Sequence, residues 1–181
     1  VTATGNLTIG GSSSAAQGVI VGLGAPVSAG GNINLAGRST LAGVNALDVN
    51  ASLTSTAGNI TLSGDRMNIG ANVRAGTAGA NTVTVNTVSA ANKIDIGSGT
   101  GVSGVDAAGT LGLSQTELNR ITAGNLVIGD TANTGGITVS AATTTNATSG
   151  NLTLLSGGNI AINGALTVGG SGASRTLTLH G

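Results

Sequence analysis

Apolar residues recur two apart along this chain, in short bursts separated by Gly, Asn, Ser and Thr. One phrase returns repeatedly: Gly-Asn, then two apolar residues flanking one that is usually small and polar. It stands as Gly5-Asn6-Leu7-Thr8-Ile9, Gly31-Asn32-Ile33-Asn34-Leu35 and Gly58-Asn59-Ile60-Thr61-Leu62. It returns as Gly124-Asn125-Leu126-Val127-Ile128, Gly150-Asn151-Leu152-Thr153-Leu154 and Gly158-Asn159-Ile160-Ala161-Ile162. Looser copies are Thr82-Val83-Thr84-Val85, Lys93-Ile94-Asp95-Ile96, Gly136-Ile137-Thr138-Val139 and Thr176-Leu177-Thr178-Leu179. Alternation with Ile, Leu and Val at every second place predicts very short, half-buried strands. Helical spacing is confined to Ser114-Gln115-Thr116-Glu117-Leu118, which has capping-box form and fits either one helical turn or a corner.

The strand starts fall into two interleaved series. One runs Leu7, Ile33, Ile60, Val83, Leu111, Ile137, Ile160; the other runs Ile20, Leu47, Met67, Ile94, Leu126, Leu152, Leu177. Both advance by roughly 25 residues, which divides the chain into about seven repeats. A repeat of that length with two or three short strands predicts an all-β fold, a right-handed parallel β-helix (β-solenoid) of about seven coils. One coil cannot bury its own apolar face and must stack on its neighbours. At a strand spacing of ~4.8 Å the stack is roughly 34 Å long. The handedness follows the general rule for parallel crossovers.

Gly suits corners with positive φ, and Asn hydrogen-bonds local backbone. Asn6, Asn32, Asn59, Asn125 and Asn151 precede their strands identically and are candidates for a structural ladder. Asn163-Gly164, between two alternating runs, suits a type I′ hairpin turn as well as a coil corner, and both readings stand.

Composition narrows the function classes. Gly, Ala, Ser, Thr and Asn make up about two-thirds of the 181 residues, with one Pro and no Cys, Phe, Tyr or Trp. Gly does not recur every third residue, so collagen is excluded, as is a disulfide scaffold. Formal net charge is zero and 7% of residues are charged, which favours neither nucleic acid nor insertion at an anionic membrane. The longest apolar window, Gly18 to Val27, is far short of the ~20 residues of a membrane helix. The opening Val1-Thr2-Ala3-Thr4 has no basic leader character, so a processed chain or one cut from something longer is expected.

Catalytic chemistry is thinly supplied. The single His180 stands beside the last residue, with no Cys or Tyr to complement it. The acids Asp48, Asp65, Asp95, Asp106, Glu117 and Asp130 are expected on solvated faces. Asp48 and Asp95 lie between inward residues and would point outward two coils, ~9.6 Å, apart. That is near the upper edge of an inverting glycosidase pair. A polysaccharide-processing β-helix enzyme is therefore the enzymatic alternative.

Metal and phosphate motifs fall short. Gly169-Gly170-Ser171-Gly172-Ala173-Ser174 has Ser where a calcium nonapeptide needs Asp, and Gly99-Thr100-Gly101-Val102-Ser103-Gly104 lacks the helix a pyrophosphate requires. No catalytic residue, cofactor or metal ligand is assigned. Acceptor sequences at Asn6, Asn50, Asn59, Asn146 and Asn151 are read mainly as by-products of the repeat. An ice-binding solenoid is the other alternative, if Thr fills one outward column. The columns expected from the two series mix Thr with Asn, Gly and Ala, or with Asp and Val.

Leu113-Ser114-Gln115-Thr116-Glu117-Leu118-Asn119-Arg120-Ile121, followed by Thr122-Ala123-Gly124-Asn125-Leu126-Val127-Ile128-Gly129-Asp130, resembles repeats of filamentous-haemagglutinin-like (two-partner secretion) exoproteins. The spaced Gly-Asn-Ile-x-Leu units extend that resemblance over nearly the whole chain. It implies a right-handed β-helix, export through an outer-membrane transporter serving the parent protein, and a secreted, cell-surface adhesin or filament of a Gram-negative bacterium. Host or surface glycans are the ligands such a role implies.

Residues 1–181 are read as one β-helix segment, and neither end reads as capped. Expected partners are neighbouring coils of a longer solenoid or copies of the chain end to end, a heterologous contact that gives filaments.

Overall fold

In an extended chain every second side chain returns to the same face, so the alternating Ile, Leu and Val positions become strands with one apolar side. The computed structural model describes residues 1–77, 80–97, 104–146, 149–169 and 174–181. Within them the chain is all-β apart from one four-residue helical element, and its strands pair in parallel.

The chain visits three sheets in turn. Strands β1 (Thr2–Ala3), β2 (Leu7–Ser13) and β3 (Val19–Val21) open one sheet each. The visit repeats with β4 (Val27–Ala29), β5 (Ile33–Ser39) and β6 (Leu47–Val49), then with β7 (Leu53–Ser55), β8 (Ile60–Ser63) and β9 (Met67–Ile69). Each strand lies in register on its predecessor, as in Leu7–Ile33–Ile60 and Val19–Leu47–Met67. Next, β10 (Val73–Ala75) and β11 (Thr82–Asn86) extend the first two sheets. The third sheet stops at β9.

The break comes from residues 93–122. Strand β12 (Lys93–Ile96) joins a new sheet, and the chain comes back as β13 (Thr110–Leu113) to pair along it, Ile94 opposite Leu111. Helix α1 (Gln115–Leu118) follows, then β14 (Ile121–Thr122), which pairs with β10. Strand β15 (Asn125–Asp130) settles on β11, and β16 (Ile137–Val139) on β12. The remaining strands are β17 (Thr143–Thr144), β18 (Asn151–Ser156), β19 (Ile160–Ile162), β20 (Leu166–Thr167) and β21 (Leu177–His180). The longest sheet has seven strands, β2-β5-β8-β11-β15-β18-β21.

One sequence expectation is corrected here and one open reading is decided. Spacing linked Val83 to Leu111 and Ile94 to Leu126, whereas the structure pairs Val83 with Leu126 and Ile94 with Leu111. The two series exchange because β13 lies back beside β12 instead of onward. At Asn163-Gly164 there is no hairpin: β19 pairs with β16 and β20 with β17, both in parallel.

Inward residues form one core of Ile, Leu, Val, Ala and Met67, with Ile33, Ile60, Leu62, Ile94 and Leu111 fully buried. Each fully buried aliphatic side chain contributes roughly 1.5–3 kcal/mol. Gly58 and Gly150 show why the phrase opens on Gly: a Cβ there would overlap the backbone of Gly31 and Gly124, the preceding copies.

Candidate functional site

Two features arise from this architecture: an outer polar face on the seven-stranded sheet, and a buried pair of acids where the third sheet breaks. On the outer face, Asn side chains tie successive strands together through backbone. Asn6 Oδ1 accepts from the Asn32 N–H (2.8 Å), Asn32 Oδ1 from Asn59 N–H (2.8 Å) and Asn59 Oδ1 from Thr82 N–H (3.0 Å). The chain of contacts resumes where Asn151 Nδ2 donates to Asn125 Oδ1 (3.1 Å) and Asn151 Oδ1 accepts from Thr176 N–H (3.0 Å). It is interrupted at Thr82, where the phrase lacks its Asn.

Two residues further on lies a second outward column: Thr8, Asn34, Thr61, Thr84, Val127, Thr153 and Thr178. The exchange of the two series places five Thr in one column, which spacing alone had split between two. Gly112, Asp95, Thr138 and Ala161 stand together on the other sheet.

The expectation that the acids are solvated is corrected for three of them. Asp48 is 8% exposed, Asp106 7% and Glu117 1%. The N–H groups of Met67 and Ile69 face away from β6, where the next strand of their sheet would sit. Asp106 Oδ2 accepts from Met67 N–H at 3.0 Å, and Glu117 Oε1 from Ile69 N–H at 3.0 Å. Glu117 also closes the capping box of α1, its Oε2 accepting from Ser114 N–H (2.9 Å) and Ser114 Oγ (2.8 Å). The two carboxyls thus do for β9 what carbonyls of a neighbouring strand do elsewhere. Burial pushes the Asp106 carboxyl up to about 7; the Met67 and Gly112 N–H groups and Arg66 pull it down, and Glu117 adds to the rise.

The same insertion patches a second break. The Gln115 side chain donates to the Thr144 carbonyl (2.6 Å) and accepts from its N–H (2.8 Å), taking the place of a strand beside β17. Sequence reasoning saw the capping box but not these partners. The signal was present: a box on one isolated turn in an all-strand pattern has to sit at an interruption of the stack.

Asp48 and Asp95 lie on different sheets, so the ~9.6 Å ladder spacing does not relate them. Asp65 accepts from the Val88 and Ser89 N–H groups, and Asp130 from those of Ala132 and Asn133, as loop-closing acceptors. His180 ends β21 on an exposed strand. Asn50 is half-buried and accepts from Asn68 Nδ2 at 2.9 Å. The motif at Gly99–Gly104 and the one at Gly169–Ser174 lie largely outside the described residues, as do the last two residues of the Asn146 acceptor sequence. Among the described residues no three His, Cys, Asp or Glu side chains gather as a metal site, and no helix is long and apolar enough to cross a membrane.

No family model, curated protein or solved structure matches the chain. Its chemistry is read from these contacts alone. They hold strands together and present amide and hydroxyl groups outward.

Proposed function

We propose that this chain is a stretch of right-handed parallel β-helix of about seven coils, serving as a non-enzymatic structural segment of a secreted, cell-surface adhesin or filament of a Gram-negative bacterium. The observation that carries the reading is the seven-stranded parallel sheet whose outer face is uncharged in both its Asn ladder and its Thr column. Such a face repeats a hydrogen-bonding pattern every ~4.8 Å, which suits a shaft or a broad contact with glycans. The last strand supports a stacking role. Leu177 and Leu179 are in register with buried Leu152 and Leu154 yet are 41% and 48% exposed, and a further parallel strand on β21 would cover them.

Antibodies raised against the chain test the placement. They are expected to label intact cells of the producing bacterium, and to lose that label when the outer-membrane transporter is deleted. Labelling only after permeabilisation overturns the proposal.

The Thr column favours one second reading, ice binding, because five of its seven outward positions carry a hydroxyl and a methyl at regular spacing. Thermal hysteresis at micromolar protein decides between the two; the adhesin reading expects none.

A further inference from the structure

The corner between β19 and β20 carries the single Asn-Gly dipeptide of the chain, Asn163-Gly164. In an extended strand successive N–H groups point to opposite sides. Here the Asn163 and Gly164 N–H groups both donate to the Val139 carbonyl, each at 2.9 Å, so the backbone bends at Asn163. The Asn163 side chain is exposed, and no hydrogen bond holds its carboxamide.

The stack requires glycine after it. A Cβ at Gly164 would lie 2.4 Å from the carbonyl carbon and oxygen of Ala141, so no side chain can shield the Gly164 nitrogen. Close packing of the coils thus keeps an unhindered backbone nitrogen directly after an unrestrained carboxamide. The ladder asparagines differ on each count. Asn6, Asn32, Asn59, Asn125 and Asn151 are followed by Leu or Ile, and their carboxamides are bonded across strands. The nitrogens that follow three of them are tied to the adjoining coil: Leu7 N–H donates to the Asn32 carbonyl, Ile33 N–H to that of Asn59 and Leu152 N–H to that of Thr176.

We propose that Asn163 is a site of self-modification that needs no partner but water. The Gly164 nitrogen bonds to the Asn163 carboxamide carbon and gives its proton to solvent. The bond from that carbon to the side-chain nitrogen breaks, and the nitrogen takes a proton and leaves as ammonia. Water then opens the cyclic imide at either carbonyl, leaving aspartate or isoaspartate; nothing is oxidised or reduced. The Val139 carbonyl restrains the step, because the Gly164 N–H has to leave it before its nitrogen can attack. Either product puts a negative charge on an uncharged corner. Isoaspartate also routes the backbone through Cβ, adding one carbon between β19 and β20, which are held in register on β16 and β17. The inference is independent of the adhesin reading, since it needs the corner and not the cell surface.

Incubation of the wild-type chain in mildly alkaline buffer, followed by digestion and peptide mass spectrometry, tests it, with enzymatic methylation of isoaspartate as a second readout. The peptide carrying residues 163 and 164 is expected to gain the mass of a hydroxyl exchanged for an amino group, while the peptides of the ladder asparagines stay unchanged. In urea, conversion is expected to run about tenfold faster, the effect of freeing one hydrogen bond. Asn163→Gln, which keeps the carboxamide but disfavours the small ring, is expected to abolish the methylation signal and to leave the far-UV circular dichroism spectrum as it was. A folded chain that stays unconverted while the urea-unfolded chain converts fully, equal rates in the two conditions, or conversion of a ladder asparagine before Asn163 in the folded chain overturns the proposal.

Discussion

At the scale of single residues, what a side chain contributes depends on the strand edge it meets. Asn32 and Asn34 are two apart on one exposed face, but the Asn32 carboxamide holds the N–H of Asn59 while Asn34 faces outward. Asn32→Ala is expected to cost about 1 kcal/mol in chemical denaturation, and Asn34→Ala under ~0.5 kcal/mol. Asp106 makes the larger demand. Its carboxyl is held at about 7 against an ordinary value of 3.8, so the folded chain keeps a proton that the unfolded chain releases. The stability linked to that proton is complete below about pH 4 and is lost as pH rises through about 7. A shift of that size corresponds to about 4 kcal/mol at most. Melts from pH 5 to pH 8 are expected to show a falling Tm for the wild-type chain, and Asp106→Asn to flatten the fall. None of this could be read from the bare sequence, where Asp106 stands in a Gly- and Ala-rich stretch that reads as loop. The Ile, Leu and Val alternation was legible because a strand carries its own periodicity; burial of an acid is decided by what folds over it.

At the scale of elements, α1 shows a local signal with a distant use. Ser114 and Glu117 announce a helical turn by their spacing alone, and the turn is there. What the spacing leaves open is that the same glutamate holds the N–H of Ile69. Glu117→Ala leaves that N–H and the Ser114 N–H without their acceptor in a buried place and is expected to cost more than 2 kcal/mol. Ser114→Ala removes only the cap and is expected to cost about 1 kcal/mol. Hydrogen exchange separates the two: Ile69 is expected to lose protection in Glu117→Ala and to keep most of it in Ser114→Ala. The pairing of β11 with β15 was hidden for a related reason. The starts of β13 and β15 carry equally good apolar alternation, and only the return beside β12 decides which one follows β11.

At the scale of the whole molecule, a stack of parallel strands without aromatic side chains fills its core with Ile, Leu, Val, Ala and Met67, and glycine lets successive copies lie close. Gly150→Ala places a methyl against the backbone of Gly124 and is expected to destabilise by about 1–3 kcal/mol, read by urea unfolding. The long sheet runs through without interruption from β2 to β21, whereas the third sheet stops at β9. A pull along the stacking direction is carried on the long sheet by evenly spaced main-chain bonds. At β9 the same tension passes into Asp106 and Glu117, carboxyls at the tips of rotatable side chains. Stretched, the molecule is expected to yield at these side-chain contacts before the main-chain bonds of the long sheet. The contact at Asp106 is thus a compliant joint whose strength changes with the acidity of the surrounding medium.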